Sequence, residues 1–161
     1  MDRICPTAVG SLARIWSALH SDLSLEIDPG DACYLRNVVF QMDDDLVAGL
    51  LALKLAKARR PLEPWRTNDL ARLGSDVLYS VQGRRSRARL VHGAVVGDGL
   101  LGMETRFGAA LLGLRAGQSL LWPHEVGRLV EVRAIEVAPG LARSASVRTS
   151  RNHSQTPCSS G

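Results

Sequence analysis

The sequence predicts an α+β protein in which a helical, hairpin-like N-terminal segment precedes an antiparallel sheet carrying one short helix. Three observations lead there. Residues 46–60 place apolar side chains at helical spacing, and residues 76–96 and 119–137 hold runs rich in β-branched and alternating residues. Between these regions lies "PLEPWRTND" (61–69), with two prolines and several turn formers. The chain of 161 residues thus divides into a helical segment 1–60, a Pro-rich linker 61–70, a sheet-bearing domain 71–140 and a tail 141–161. The tail is rich in Ser and Arg, lacks periodicity and reads as disordered.

Taken in order, residues 6–20 put Val9, Leu12, Ile15, Trp16 and Leu19 on one helical face, and Pro6 suits a first turn that needs no N–H. "SDLSLEIDPGD" (21–31) alternates Leu23, Leu25 and Ile27 with polar residues, as a short extended segment or an ordered loop. Pro29-Gly30 reads as a turn, and "CYLRNVVFQM" (33–42) fits a strand or a helix. In 46–60, Val47, Leu51 and Leu55 step by four with Leu46, Leu50 and Leu53 beside them. Lys54, Lys57, Arg59 and Arg60 are assigned to the polar side and the C-terminal turn. Asp43 or Asp44 supplies the N-cap, and Pro61 ends the helix.

The second half changes pattern. Residues 76–81 and 87–96 read as strands joined by a turn at "QGRRS", "GDG" (97–99) is a second turn, and 119–122 and 127–137 are further strands. Between them lies "TRFGAALLGLRAGQSLLW" (105–122). Thr105 can N-cap a short helix, and Gly108, Ala109 and Ala110 leave little bulk, so that helix can lie close to a sheet. Phe107, Leu111 and Leu112 supply apolar grip, Gly113 terminates the helix, and Ala116-Gly117 turns the chain into the next strand.

Composition narrows the function classes. Hydrophobic content of 45% and charged content of 22% suit a soluble globular protein; aromatics are only 4%, so the core must be Leu, Val and Ala. No run approaches the ~20 apolar residues of a membrane span. Asp2 sits too early for a signal peptide, so a cytoplasmic location is expected. Cys5, Cys33 and Cys158 are expected to be unpaired reduced thiols, and His20, His92, His124 and His153 show no metal or triad spacing. No metal and no cofactor is therefore expected.

Charge is uneven: residues 1–70 hold 8 Lys/Arg against 10 Asp/Glu (net −2), and residues 71–161 hold 12 against 6 (net +6). Arg84, Arg85, Arg87 and Arg89 cluster around the first hairpin, with Arg85, Arg87 and Arg89 on one strand face. They read as a solvated face, or as a patch for an acidic surface or RNA. Aromatic residues of the kind that stack bases are not interleaved with them, which argues against single-strand recognition.

Five stretches, in order, carry a resemblance: "LGSDV" (73–77), "ARLVHG" (88–93), "TRFGAALLG" (105–113), "AGQSLLW" (116–122) and "IEVAP" (135–139). Together they resemble the C-terminal domain of the Gre transcript-cleavage factor family, and especially its relative Rnk, the regulator of nucleoside diphosphate kinase. The family pattern has Ser-Pro where this chain has Thr105-Arg106, an acid where it has Gln118, and a tyrosine where it has Val137. The resemblance implies an FKBP-like domain that docks on RNA polymerase through Thr105, Arg106, Phe107, Gly108 and Ala109. It also implies a helical hairpin reaching the secondary channel, whose acidic tip in cleavage factors helps hold Mg²⁺ and its water.

Asp43, Asp44 and Asp45 are the candidate tip acids, with Asp22, Glu26, Asp28 and Asp31 in the preceding connection. Helix capping is the competing reading of the aspartate run. The first helix, about fifteen residues, spans only ~22 Å, short for a channel-reaching hairpin. The expectation is therefore a monomeric, non-enzymatic factor that binds RNA polymerase and modulates transcription elongation without robust cleavage activity. Its contact with DNA or RNA is expected to be weak or indirect. The alternatives are a cleavage stimulator, a regulator of another enzyme such as nucleoside diphosphate kinase, and, least supported, a prolyl isomerase, since 71–140 offers few aromatics for a prolyl pocket.

Overall fold

A computed structural model describes residues 6–63, 67–124 and 128–140, with side chains from residue 10 onward. The tail 141–161, with His153 and Cys158, and Cys5 therefore lie outside the described residues, as does the Val9 side chain. Three helices precede the sheet: α1 (Pro6–Leu19), α2 (Pro29–Val38) and α3 (Asp45–Lys57), with a 3₁₀ turn (Val39–Gln41) after α2. The strands are β1 (Asp76–Val81), β2 (Arg84–Val91), β3 (Val96–Gly97), β4 (Leu100–Gly102), β5 (Ser119–Pro123) and β6 (Leu129–Ala138), and the short helix α4 (Arg106–Leu111) sits between β4 and β5.

Pro29-Gly30 is not a free turn, as the sequence suggested, but the first turn of α2. Asp28 caps it by accepting the Gly30 N–H at 2.9 Å, and Pro29 occupies a position where no N–H is needed. The connection between α1 and α3 is thus largely helical. Residues 25–27 run extended, with Glu26 bridged to Arg59, and Leu25 and Ile27 are buried. α3 begins where expected, capped by Asp44, but ends at Lys57, because residues 58–60 turn extended to meet that bridge.

The sheet has the order β3-β4-β2-β1-β6-β5. It is mixed rather than wholly antiparallel: β4, too short to stand out in the sequence, pairs parallel with β2. The β1–β2 turn is only Gln82-Gly83, so Arg84, Arg85, Arg87 and Arg89 all belong to β2. Arg89 pairs bidentately with Asp76 at 2.9 Å, and this holds the Asp76 carboxyl below its ordinary range. Arg87 reaches Glu136 at 3.4 Å.

One hydrophobic cluster runs through both halves, joining Trp16, Leu35, Leu51 and Leu55 to Leu111, Trp122 and Val132. The α1 face differs from the sequence reading. Trp16 is buried, whereas Ile15 (51%) and Leu19 (56%) are exposed. The reason is that α1 approaches the sheet through Trp16 and His20 rather than through its aliphatic ridge. Arg115 ties three segments together by pairing with Glu26 and Asp69.

The reduced-thiol expectation is corrected at Cys33, which is disulfide-bonded. Distance along the chain gave no sign of it, because closeness in space is set by the fold.

Candidate functional site

The two stretches nominated by the sequence, 43–45 and 105–109, meet at one place. Thr105 caps α4: its Oγ1 accepts the Gly108 N–H at 3.2 Å and donates to the Gly102 carbonyl at 2.6 Å. Gly108 is required here, since a Cβ at this position would stand 1.9 Å from the Gly102 carbonyl oxygen. Gly113, with φ of +81°, ends the α4 region against Ile27 as a left-handed residue. This close fit aims the first turn of α4 at the start of α3.

Asp44 is engaged on both oxygens. Oδ1 accepts the Leu46 and Val47 N–H groups at 3.1 Å each, and Oδ2 pairs with Arg106 Nη2 at 2.9 Å. Asp43 and Asp45 remain exposed beside it. A groove of about 220 Å³ opens here, lined by Met42, Asp43, Asp44, Ala94, Glu104 and Arg106 among others. Glu104 is held in place by the Tyr34 hydroxyl, which also accepts the Gly93 N–H at 3.0 Å. The Tyr34 ring lies 3.9 Å from that of His92. Burial, with the neighbouring Glu104 carboxylate, pushes the Tyr34 hydroxyl above its ordinary value.

Not every nominated residue is reachable. Thr105, Arg106 and Phe107 are half-buried and offer surface, whereas Gly108 and Ala109 are buried. A charge placed at Ala109, which is 0% exposed, would test packing rather than docking. Phe107 packs against the His124 ring, 5.4 Å between centroids.

The aspartate run is also not a projecting tip. It lies at the capped start of α3, where Asp43 and Asp45 are exposed and Asp44, whose oxygens already serve two backbone N–H groups and the Arg106 guanidinium, is not free to hold Mg²⁺. Among the described residues, no group of three or more His, Cys, Asp or Glu side chains could hold a metal ion, and no helix is long and apolar enough to cross a membrane.

Sequence reasoning missed the residue that binds the other end of α4. Lys54, assigned to the polar face, is wholly buried. Its Nζ donates to the Ala109 carbonyl at 2.9 Å and the Ala110 carbonyl at 2.6 Å, and lies 5.6 Å from the Trp122 ring. These are last-turn carbonyls with no partner inside α4. Burial drives the Lys54 amine well below its ordinary value. A neutral amine still has two N–H donors, which match the two carbonyls. The signal was present in the spacing: 47, 51 and 54 are helix positions on one face. Glu104, Met42 and Ala94 were missed because only the fold brings them to the groove.

The architecture is that of a Gre-factor-like α+β fold. Among solved structures, the chain is similar to the prokaryotic transcription elongation factor GreA/GreB from Nitrosomonas europaea, with 24% identity, 71% of this chain and 98% of that one covered, and a TM-score of 0.53. At that identity the likeness is one of fold. Two further matches are the Gfh1 proteins of Thermus aquaticus (22% identity, 82% and 85% covered, TM-score 0.38) and Thermus thermophilus (20%, 81% and 92%, TM-score 0.35). Their TM-scores are too low to add to the argument. No family model matches the chain, and no curated relative matches it.

Proposed function

We propose that this chain is an accessory factor that binds RNA polymerase and modulates transcription elongation. It docks through the surface formed by Thr105, Arg106 and Phe107 with the start of α3. The single observation carrying this reading is the meeting of the two nominated stretches at one accessible groove on a Gre-factor-like fold. The factor acts without strong transcript cleavage, since the aspartates cap and brace α3 instead of ending a long two-helix arm. Nucleic acid is met through the polymerase, because the β2 arginines Arg87 and Arg89 are paired with Glu136 and Asp76.

The test is binding of the purified chain to purified core RNA polymerase, together with transcript cleavage in stalled complexes. Expected are micromolar or tighter binding, weakened at least about tenfold by Arg106→Glu, and cleavage no faster than with polymerase alone. A well-folded chain that ignores polymerase overturns the reading. Strong cleavage would favour a cleavage stimulator instead.

A further inference from the structure

Strand β5 is an edge of the sheet, and an open edge presents unpaired N–H and C=O groups. At Leu121 both groups are taken by side chains from α1 and from the residue that follows it. The Leu121 N–H donates to His20 Nε2 at 2.9 Å, and its carbonyl accepts from Trp16 Nε1 at 2.7 Å. Residues 16 and 20 are one helical turn apart, so the two side chains stand side by side and present to Leu121 what a neighbouring strand would present. The other His20 nitrogen, Nδ1, lies 2.7 Å from the Trp16 carbonyl. The indole and imidazole rings are 4.6 Å apart, and Trp16 and His20 are both buried.

This pattern fixes the protonation state. Nδ1 must carry the hydrogen that the Trp16 carbonyl accepts, and Nε2 must carry the lone pair that receives the Leu121 N–H. An imidazolium has a hydrogen on each nitrogen and would set donor against donor at Leu121. The titratable groups facing the ring come from α3: Lys57, whose Nζ also donates to the His20 carbonyl, and the buried Lys54 amine. The β5 side contributes Leu121 and Trp122, neither of which is charged.

We propose that α1 is an acid-released strap over the β5 edge, fastened by neutral His20 and unfastened when the ring takes a second proton. The direction of the effect follows from the site. Burial, with the Lys57 ammonium nearby, holds His20 below its ordinary value near 6.5. The fastening is therefore complete above about pH 6.5 and is lost as pH falls through the lower folded-state value. Release frees the Leu121 backbone and uncovers Trp16 while leaving α3, α4 and the inner strands packed.

The experiment is amide hydrogen exchange at Leu121, corrected for the intrinsic pH dependence of exchange, from pH 7.5 to 4.5. Protection in the native chain is expected to fall at least tenfold, while Leu90 and Val132 keep theirs. In His20→Gln the amide oxygen and amide NH₂ supply an acceptor and a donor without titrating, so Leu121 protection should stay level. Protection that is level in the native chain, or that falls equally in His20→Gln, overturns the proposal. Imidazole nitrogen shifts of the native protein decide the matter without a variant: a neutral Nδ1–H ring at pH 7.5 is expected, and an Nε2–H ring or an imidazolium there overturns it.

Discussion

The two ends of α4 are fastened to the same helix in opposite ways. At its start, Arg106 meets Asp44 across a contact in which each side chain is more than a third exposed. At its end, the Ala109 and Ala110 carbonyls meet Lys54 in full burial. Both contacts link α3 to α4 and both involve a basic side chain, so sequence alone ranks them equally. Burial separates them. An exposed ion pair contributes about 0–1 kcal/mol, whereas leaving buried carbonyls without a donor costs about 1–3 kcal/mol each before any cavity is counted. The buried end holds the fold, and the exposed end is free to be read by a partner.

The largest effect should come from Lys54→Ala, which removes both donors and leaves a cavity beside Trp122. A loss of about 3–5 kcal/mol is expected, read as a fall in the urea midpoint. Lys54→Met refills most of the volume and should cost about 2–4 kcal/mol, for the two carbonyls alone. The comparison breaks if Lys54→Ala costs no more than Arg106→Ala.

Lys54 also predicts an alkaline signature. Its folded-state value lies well below its ordinary one, so the unfolded chain binds the extra proton and stability rises with pH up to about 10.4. The native midpoint should therefore climb as pH rises towards that value, and the Lys54→Met midpoint should climb less. Equal slopes would mean that Lys54 stays charged.

Next in size is Gly108→Ala. The added Cβ would meet the Gly102 carbonyl oxygen at 1.9 Å, a backbone atom that cannot swing aside. Overpacking of this kind costs about 1–3 kcal/mol. The cost should appear in stability and should tilt the first turn of α4, which near-ultraviolet dichroism of Trp122 would register. An unchanged midpoint would show that α4 is less tightly seated than Lys54 implies.

These sites also show what the sequence could convey. α4 was legible because its signals are local: the Thr105 cap, the small residues 108–110 and the terminating Gly113 all act within a few positions. The Asp44 cap and β1, β5 and β6 were legible for the same reason. Lys54 was assigned to the wrong face because a lysine counts as polar in any pattern, although positions 47, 51 and 54 share a stripe. β4 was missed because three residues carry no period, and its parallel pairing with β2 is non-local. The groove could not be seen at all, since Ala94, Glu104 and Asp44 meet only once α2 and α3 have packed on the sheet. The Pro29-Gly30 turn was misjudged because Asp28 makes the same residues a helix start.

Asp44 lies between the two extremes, since it serves α3 and Arg106 together. Asp44→Ala should cost about 1–2 kcal/mol, mostly for the lost cap. Asp44→Asn keeps an oxygen for the Leu46 and Val47 N–H groups and should cost under about 1 kcal/mol. If the two variants fall equally in thermal unfolding, the ion pair rather than the cap holds this corner, and the contrast between the ends of α4 narrows.

The smallest change in stability should come from Arg106→Ala. Among the described residues its guanidinium has one ion-pair partner, Asp44, and the carboxylate it leaves behind keeps two backbone N–H groups. A shift within about 0.5 kcal/mol is expected. That small effect makes the variant informative, because polymerase binding can be compared at equal foldedness. If Arg106 forms part of the docking surface, affinity falls while the urea midpoint stays in place. If affinity and midpoint fall together, Arg106 belongs with Lys54 as a structural fastener, and the docking surface must be sought elsewhere on the molecule.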